Sequence, residues 1–132
     1  AGSKEADFIP KPIMGVSYAS PSIGNKHFYN AYRRLEEERL VRHIRVSNEG
    51  DVVAAVPSLG YRQTGINLHA KKDGRMEVKY ENNKKSFRSQ FNREFKEKHG
   101  LTSYVDRIFK EDNKDILSMD IDELYANYAD LK

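Results

Sequence analysis

The sequence has no cysteine and no tryptophan among its 132 residues. Without cysteine there is no disulfide framework, no thiolate nucleophile and no cysteine-based zinc site. That points to a cytoplasmic protein, or one of the nucleoid or nucleus, that does not pass through disulfide-forming routes. No apolar run approaches the ~20 residues that a membrane-spanning helix needs. No signal-peptide apolar core opens the chain, so no membrane partner is expected. Proline is scarce: Pro10, Pro12 and Pro21 fall in the first 24 residues, and only Pro57 follows. Repeats and low-complexity tracts are absent. A phosphate-binding glycine loop is missing too, since residues 57–65 (PSLGYRQTG) carry two glycines without the lysine such a loop needs. His27, His43, His69 and His99 lack ligand spacing, so neither a metal nor a cofactor is expected.

Charge and tyrosine are plentiful instead. Eight tyrosines and six phenylalanines supply bulky core material in a chain that is 33% charged. The net charge of +3 hides a split. Residues 1–110 carry +8, from 21 Lys/Arg against 13 Asp/Glu, and residues 111–132 carry −5, from 2 against 7. A basic body with an acidic tail suits a nucleic-acid or acidic partner, or a tail that neutralises the body it docks on. The opening Ala1-Gly2-Ser3, without a methionine, reads as a cloning remnant on a fragment of something longer.

Three regions follow from composition and periodicity. Residues 1–24 read as an extended or irregular segment, because proline removes donors and biases its predecessor away from helix. Within it FIPKPIMGVSY is apolar enough to lie on the body as an edge strand. Residues 25–110 form the α+β body. Asn25 caps a helix from about Lys26 to Leu40, with Phe28, Tyr32 and Leu35 as its buried stripe. Ile44 and Val46 then alternate with His43 and Arg45, and the turn SNEGD leads into DVVAAV as a first hairpin. In a second hairpin around KKDG, Ile66, Leu68, Ala70, Met76, Val78 and Tyr80 face inward. A helix over residues 84–98 carries Phe87, Phe91 and Phe95 on one face, and a short helix holds Tyr104, Val105, Ile108 and Phe109.

Residues 111–132 form an acidic amphipathic helix started by Asp120 and Glu123, an arrangement like a capping box. Its apolar face is Leu117, Ile121, Leu124, Tyr125, Tyr128 and Leu131. The expected architecture is α+β: an irregular N-terminal segment, a helix, a four-stranded antiparallel meander, then two to three C-terminal helices.

Residues 22–56 (SIGNKHFYNAYRRLEEERLVRHIRVSNEGDVVAAV) resemble the recognition helix and wing of winged helix-turn-helix regulators. The resemblance implies that Arg33 and Arg34 face base edges. It departs at Arg39, where that family has glycine. The segment before Asn25 also lacks the helices that would position the second one.

The principal functional expectation is a small non-enzymatic nucleic-acid-binding or accessory domain, for DNA or RNA. The alternates of the inward set turn a basic face outward. Arg45, His69, Lys71, Lys72, Arg75, Lys79, Lys84 and Lys85 are its phosphate-contacting candidates, with Tyr18, Tyr29 and Tyr61 available for stacking. The alternative is a protein-interaction module, adaptor or inhibitor, docking through Leu117, Ile121, Leu124, Tyr125 and Tyr128. A third reading is a small RNase-like enzyme using His43, His69, Glu77 and Lys79. No motif joins these four, and no residue is singled out as catalytic.

Overall fold

The computed structural model describes residues 9–51, 53–55, 59–80 and 100–129. Strands β1 (Ile13–Tyr18), β3 (Val41–Asn48), β5 (Ile66–Ala70) and β6 (Met76–Lys79) form one sheet in the order β1-β3-β5-β6. β1 runs parallel to β3, from Ile13 beside Val41 to Tyr18 beside Val46. β3 runs parallel to β5, and only β5 and β6 are antiparallel. Two short strands, β2 (Gly24–Asn25) and β4 (Tyr61–Arg62), make a separate antiparallel pair.

The α+β content matches expectation; the antiparallel meander does not. Helix α1 (Lys26–Glu37) crosses between β1 and β3, and a crossover of that length returns the chain parallel. Among the described residues the first hairpin does not form either. Gly50 turns the chain at φ 87°, but the Asp51 side chain then accepts hydrogen bonds from the amides of Val53 (2.9 Å) and Ala54 (3.4 Å). A carboxylate has taken donors that a returning strand would present to its neighbour. Residues Val53–Ala55 curl into one 3₁₀ turn instead. The second hairpin forms as its DG signal predicts, pairing Leu68 with Val78 and Ala70 with Met76.

α1 begins where expected, its Asn25 cap accepting from the amides of His27 and Phe28. Its buried face differs. Tyr29 and Glu36 are buried, while Phe28 and Leu35 are 39% and 38% exposed. Two tyrosine hydroxyls satisfy the Glu36 carboxylate, which is how a charged residue can occupy an interior position. Among the described residues no helix precedes Asn25. β1 stands there, so a helix-turn-helix has no first helix.

At the other end, α2 (Leu101–Ile108), a 3₁₀ turn (Glu111–Asn113), α3 (Lys114–Ser118) and α4 (Ile121–Tyr128) follow. Asp120 caps α4 by accepting from the Glu123 amide at 2.7 Å. Val46, Ile66, Leu68, Met76 and Tyr80 of the sheet side pack with Tyr104, Ile108, Leu124 and Tyr125 into one core. Asn113 ties the helices to the hairpin: it accepts from the Met76 amide and donates to the Gly74 and Arg107 carbonyls. Among the described residues no helix is long and apolar enough to cross a membrane. The helix expected over 84–98, with Phe87, Phe91 and Phe95, lies outside the described residues, as do Lys84, Lys85 and Leu131.

Candidate active site

The parallel strands β1, β3 and β5 end at Tyr18, Asn48 and Ala70, so their carboxyl ends share one edge of the sheet. In open parallel sheets this edge is where ligands bind. Here it is built from the loops after β1 and β3 together with α2. The Gln63 side chain joins the two loops, donating to the carbonyls of Ala54 (3.0 Å) and Ser20 (3.3 Å). Arg107 of α2 donates to the Glu49 carbonyl at 3.2 Å.

Asp51 sits at the centre of this edge, 3% exposed. Its Oδ1 accepts from the Val53 and Ala54 amides, and its Oδ2 accepts from the Tyr104 hydroxyl at 2.5 Å. The Tyr104 oxygen in turn accepts from the Asn48 amide at 3.2 Å. Burial, followed by the hydrogen bond to Asp51, pushes the Tyr104 hydroxyl far above the ordinary phenol range, so it stays a donor. The Tyr104 ring meets Tyr18 edge-on at 6.5 Å, which brings the end of β1 into the same group. The product is a buried carboxylate, fixed in direction, at the end of a central parallel strand. Such a group can orient and stabilise an imidazole but is poorly placed to bind an exposed polyanion.

A second polar group lies on the sheet face. Ser17 Oγ is 2.9 Å from His43 Nε2, and the other ring nitrogen of His43 is buried without a partner. Burial, then Arg45, holds His43 below the usual imidazole range. Gly65, at φ +75°, lies against His43. A Cβ there would stand 2.5 Å from the His43 carbonyl oxygen, so only glycine fits. Ser47 Oγ donates to Asn67 Oδ1 (2.8 Å) and lies 2.9 Å from His69 Nδ1.

The residues expected to contact phosphates are only partly brought together. Arg45 is buried, donating to the Thr64 carbonyl at 2.8 Å, and burial lowers it to about 10. His69 is half-buried and lowered to about 4, by burial first and then by Lys79 and Lys71, so it is neutral at physiological pH. Lys71 and Lys79 both reach Glu77 (3.3 and 2.8 Å), and Arg75 pairs with Asp73 (2.7 Å). Lys72 is exposed. Of the stacking candidates Tyr18 and Tyr61 are exposed, whereas Tyr29 is buried. Of the partner-docking residues, Leu124 and Tyr125 are in the domain's own core, Ile121 packs against it, and Leu117 and Tyr128 are 41% and 40% exposed.

Sequence reasoning missed Asp51, Tyr104 and Glu36 as site or network residues. In sequence Asp51 stands at the end of a turn expected to open a hairpin. The available signal was an Asp directly after a strand-ending Asn-Glu-Gly, with a histidine, His99, further along the chain.

No protein-family model matches the chain, and no solved structure matches it significantly. Two curated relatives share a part of it. Phospholipase A1-II 2 of Oryza sativa subsp. indica is 33% identical over 57 residues, which is 43% of this chain and 13% of the relative. Phospholipase A1-II 7 of the same organism is 34% identical over 59 residues, 45% of this chain and 14% of the relative. The shared stretch thus spans about one seventh of each of these relatives.

Proposed function

We propose that this chain supplies the acidic and basic members of a Ser-His-Asp hydrolase that cleaves acyl esters of phospholipids. The observation that carries the reading is the buried Asp51 just past the carboxyl end of β3, which accepts from the Val53 and Ala54 amides and the Tyr104 hydroxyl. His99 follows it in the chain and immediately precedes Gly100, whose carbonyl accepts from the Tyr104 amide in the first turn of α2. Hydrolases built on parallel sheets use this chain order, with serine first, then the carboxylate, then histidine. In that role Asp51 orients the imidazole and stabilises the imidazolium, and His99 takes the serine proton and passes it to the leaving alcohol. The partial likeness to two proteins named phospholipase A1 supports the substrate class.

The nucleophile is assigned to a part of the polypeptide beyond this chain. A nucleophile elbow needs G-x-S-x-G on a sharp strand-to-helix turn. Gly15-Val16-Ser17-Tyr18-Ala19 falls one residue short of it, and Ser17 lies inside β1, bonded to His43. Among the described residues no strand pairs with the outer edge of β1, which supports a sheet that continues. Parallel sheets are normally covered on both faces, yet Met14, Val16 and Tyr18 of this parallel strand are 57–61% exposed.

The nucleic-acid reading has weaker support. Among the described residues Lys71, Lys79 and Arg75 are each paired with a carboxylate and Arg45 is buried, while Lys72 and Arg75 are exposed on the hairpin.

Fatty-acid release from phosphatidylcholine vesicles, by the polypeptide that carries this chain, tests the hydrolase reading. His99→Gln is expected to lower kcat by at least about a thousandfold, as removal of a triad member does. Ser17→Ala is expected to leave kcat within about twofold. Loss of activity in the Ser17 variant with retention in the His99 variant would contradict the proposal.

A further inference from the structure

We infer that the loops after β1 and β3 form a lipid-docking surface. On it Ile23, Leu59 and Tyr61 enter an anionic phospholipid bilayer, and Lys26 and Arg62 meet its headgroups. The inference rests on the hydrolase reading for its lipid class, while the surface itself is read from exposure and charge. Ile23, Leu59 and Tyr61 are 61%, 92% and 47% exposed. They are remote in sequence but close in the fold, because β2 and β4 pair Gly24 with Arg62 and Asn25 with Tyr61. Ile23 directly precedes β2, and Leu59 lies two residues before β4 begins. Phe28 completes the group, its ring packed so closely over Gly24 that an added Cβ there would stand 2.2 Å from it. Single exposed apolar residues are ordinary, but several gathered on one short strand pair mark an interaction surface.

Shape and charge select a bilayer over a groove on another protein. Gly60 turns the chain at φ +75°, and a Cβ built there would meet nothing within 4 Å, so the tip carrying Leu59 stands clear of the body. A projecting apolar tip enters a deformable lipid surface without needing a matching cavity. Tyrosine suits the headgroup boundary, its ring on the apolar side and its hydroxyl toward water. Residues 19–35 and 59–72 contain no aspartate or glutamate. Lys26 and Arg62 are exposed within them, and the Arg62 guanidinium is held 5.6 Å over the Tyr29 ring, next to Tyr61 in the chain. An apolar patch rimmed by cations and free of acids is complementary to anionic headgroups, each cation being worth about fivefold in affinity. The same two loops build the carboxyl edge of the parallel strands, where Gln63 joins them by donating to the Ser20 and Ala54 carbonyls. Docking through them turns that edge toward the bilayer.

Co-sedimentation of the polypeptide that carries this chain with phosphatidylcholine vesicles, with and without phosphatidylglycerol, tests the surface without turnover. Ile23→Ser combined with Leu59→Ser is expected to lower vesicle affinity by at least about tenfold. The melting temperature is expected to stay unchanged, since both side chains are exposed in the free protein. Lys26→Gln combined with Arg62→Gln is expected to lower affinity for the phosphatidylglycerol vesicles by about ten- to thirtyfold, and for phosphatidylcholine alone by less than about twofold. Native affinity in either double variant overturns the inference, and so does a wild type that binds neither vesicle. Leu59→Trp gives a second reading, because brominated acyl chains are expected to quench its fluorescence beyond any quenching in the parent. No added quenching overturns the inference. If the wild type binds vesicles through these residues yet releases no fatty acid, the hydrolase reading falls and the docking surface stands. If it releases fatty acid while both double variants bind as the wild type does, the docking surface falls and the hydrolase reading stands.

Discussion

Glu36 shows what a single buried residue costs and contributes. It is 1% exposed, its Oε1 accepting from the Tyr125 hydroxyl (2.5 Å) and its Oε2 from the Tyr80 hydroxyl (2.6 Å). Burial raises its proton affinity more than the two hydroxyls and the nearby Arg42 and Arg33 lower it, so the folded protein holds this proton more tightly than the unfolded chain does. The sign follows from linkage. Such a group favours folding fully below the unfolded carboxylate range, and that contribution is lost as pH rises through the raised folded value. Urea unfolding of the wild type and Glu36→Gln across pH 3–8 is expected to show the wild type losing stability relative to the variant as pH rises. A difference independent of pH, or of opposite slope, would contradict the assignment. Glu36→Ala is expected to cost more at every pH, since each orphaned tyrosine hydroxyl costs about 1–3 kcal/mol. None of this was legible in the sequence. In Leu35-Glu36-Glu37-Glu38 three identical side chains follow one another, and apolar periodicity cannot say which of them two distant tyrosines will reach.

At the scale of elements, local chemistry was readable and strand partnership was not. Asn25 and Asp120 cap α1 and α4 as their sequence positions imply, and the DG turn closes β5 and β6. Period-2 alternation also picked core residues from Val46 to Tyr80, but Arg45 and Asn67, expected to face outward, are buried because the other sheet face is covered there too. Alternation says which face a residue takes, but not which strand lies beside it. Residues 8–18 were identifiable as an edge strand, of which 13–18 form β1, yet the crossover through α1 that makes β1 and β3 parallel was not. The acidic tail illustrates the same limit. Its apolar face was evident, but its docking on the body depends on distant partners: Tyr125 against Glu36 and His43, and Asp122 against Arg42 at 3.0 Å. Because Leu124 is in the core and Tyr128 is not, Leu124→Ala is expected to destabilise by about 2–5 kcal/mol. Tyr128→Ala is expected to cost less than about 1 kcal/mol. Equal losses in chemical denaturation would mean that α4 is not packed as described.

For the whole molecule, charge asymmetry points toward polyanions, and the structure adds which of those charges are paired. The basic residues of the hairpin are largely matched by Glu77 and Asp73, and Arg45 faces a backbone carbonyl. Net charge counts ions without saying which are already paired. The mixed sheet gathers Asp51, Tyr104 and Tyr18 at the carboxyl edge of its parallel strands, and among the described residues no strand pairs with the outer side of β1. This polar cluster was hard to read in sequence because Tyr18, Asp51 and Tyr104 are spread over β1, the loop after β3 and α2, with no short motif joining them. The most direct test of the account is the kcat of Asp51→Asn in the polypeptide that carries this chain, acting on phosphatidylcholine vesicles. Asparagine preserves the size of the side chain and its ability to accept from the Val53 and Ala54 amides, while removing the charge. The account predicts a folded variant whose kcat falls by about a thousandfold or more. A folded Asp51→Asn protein with native kcat would contradict it.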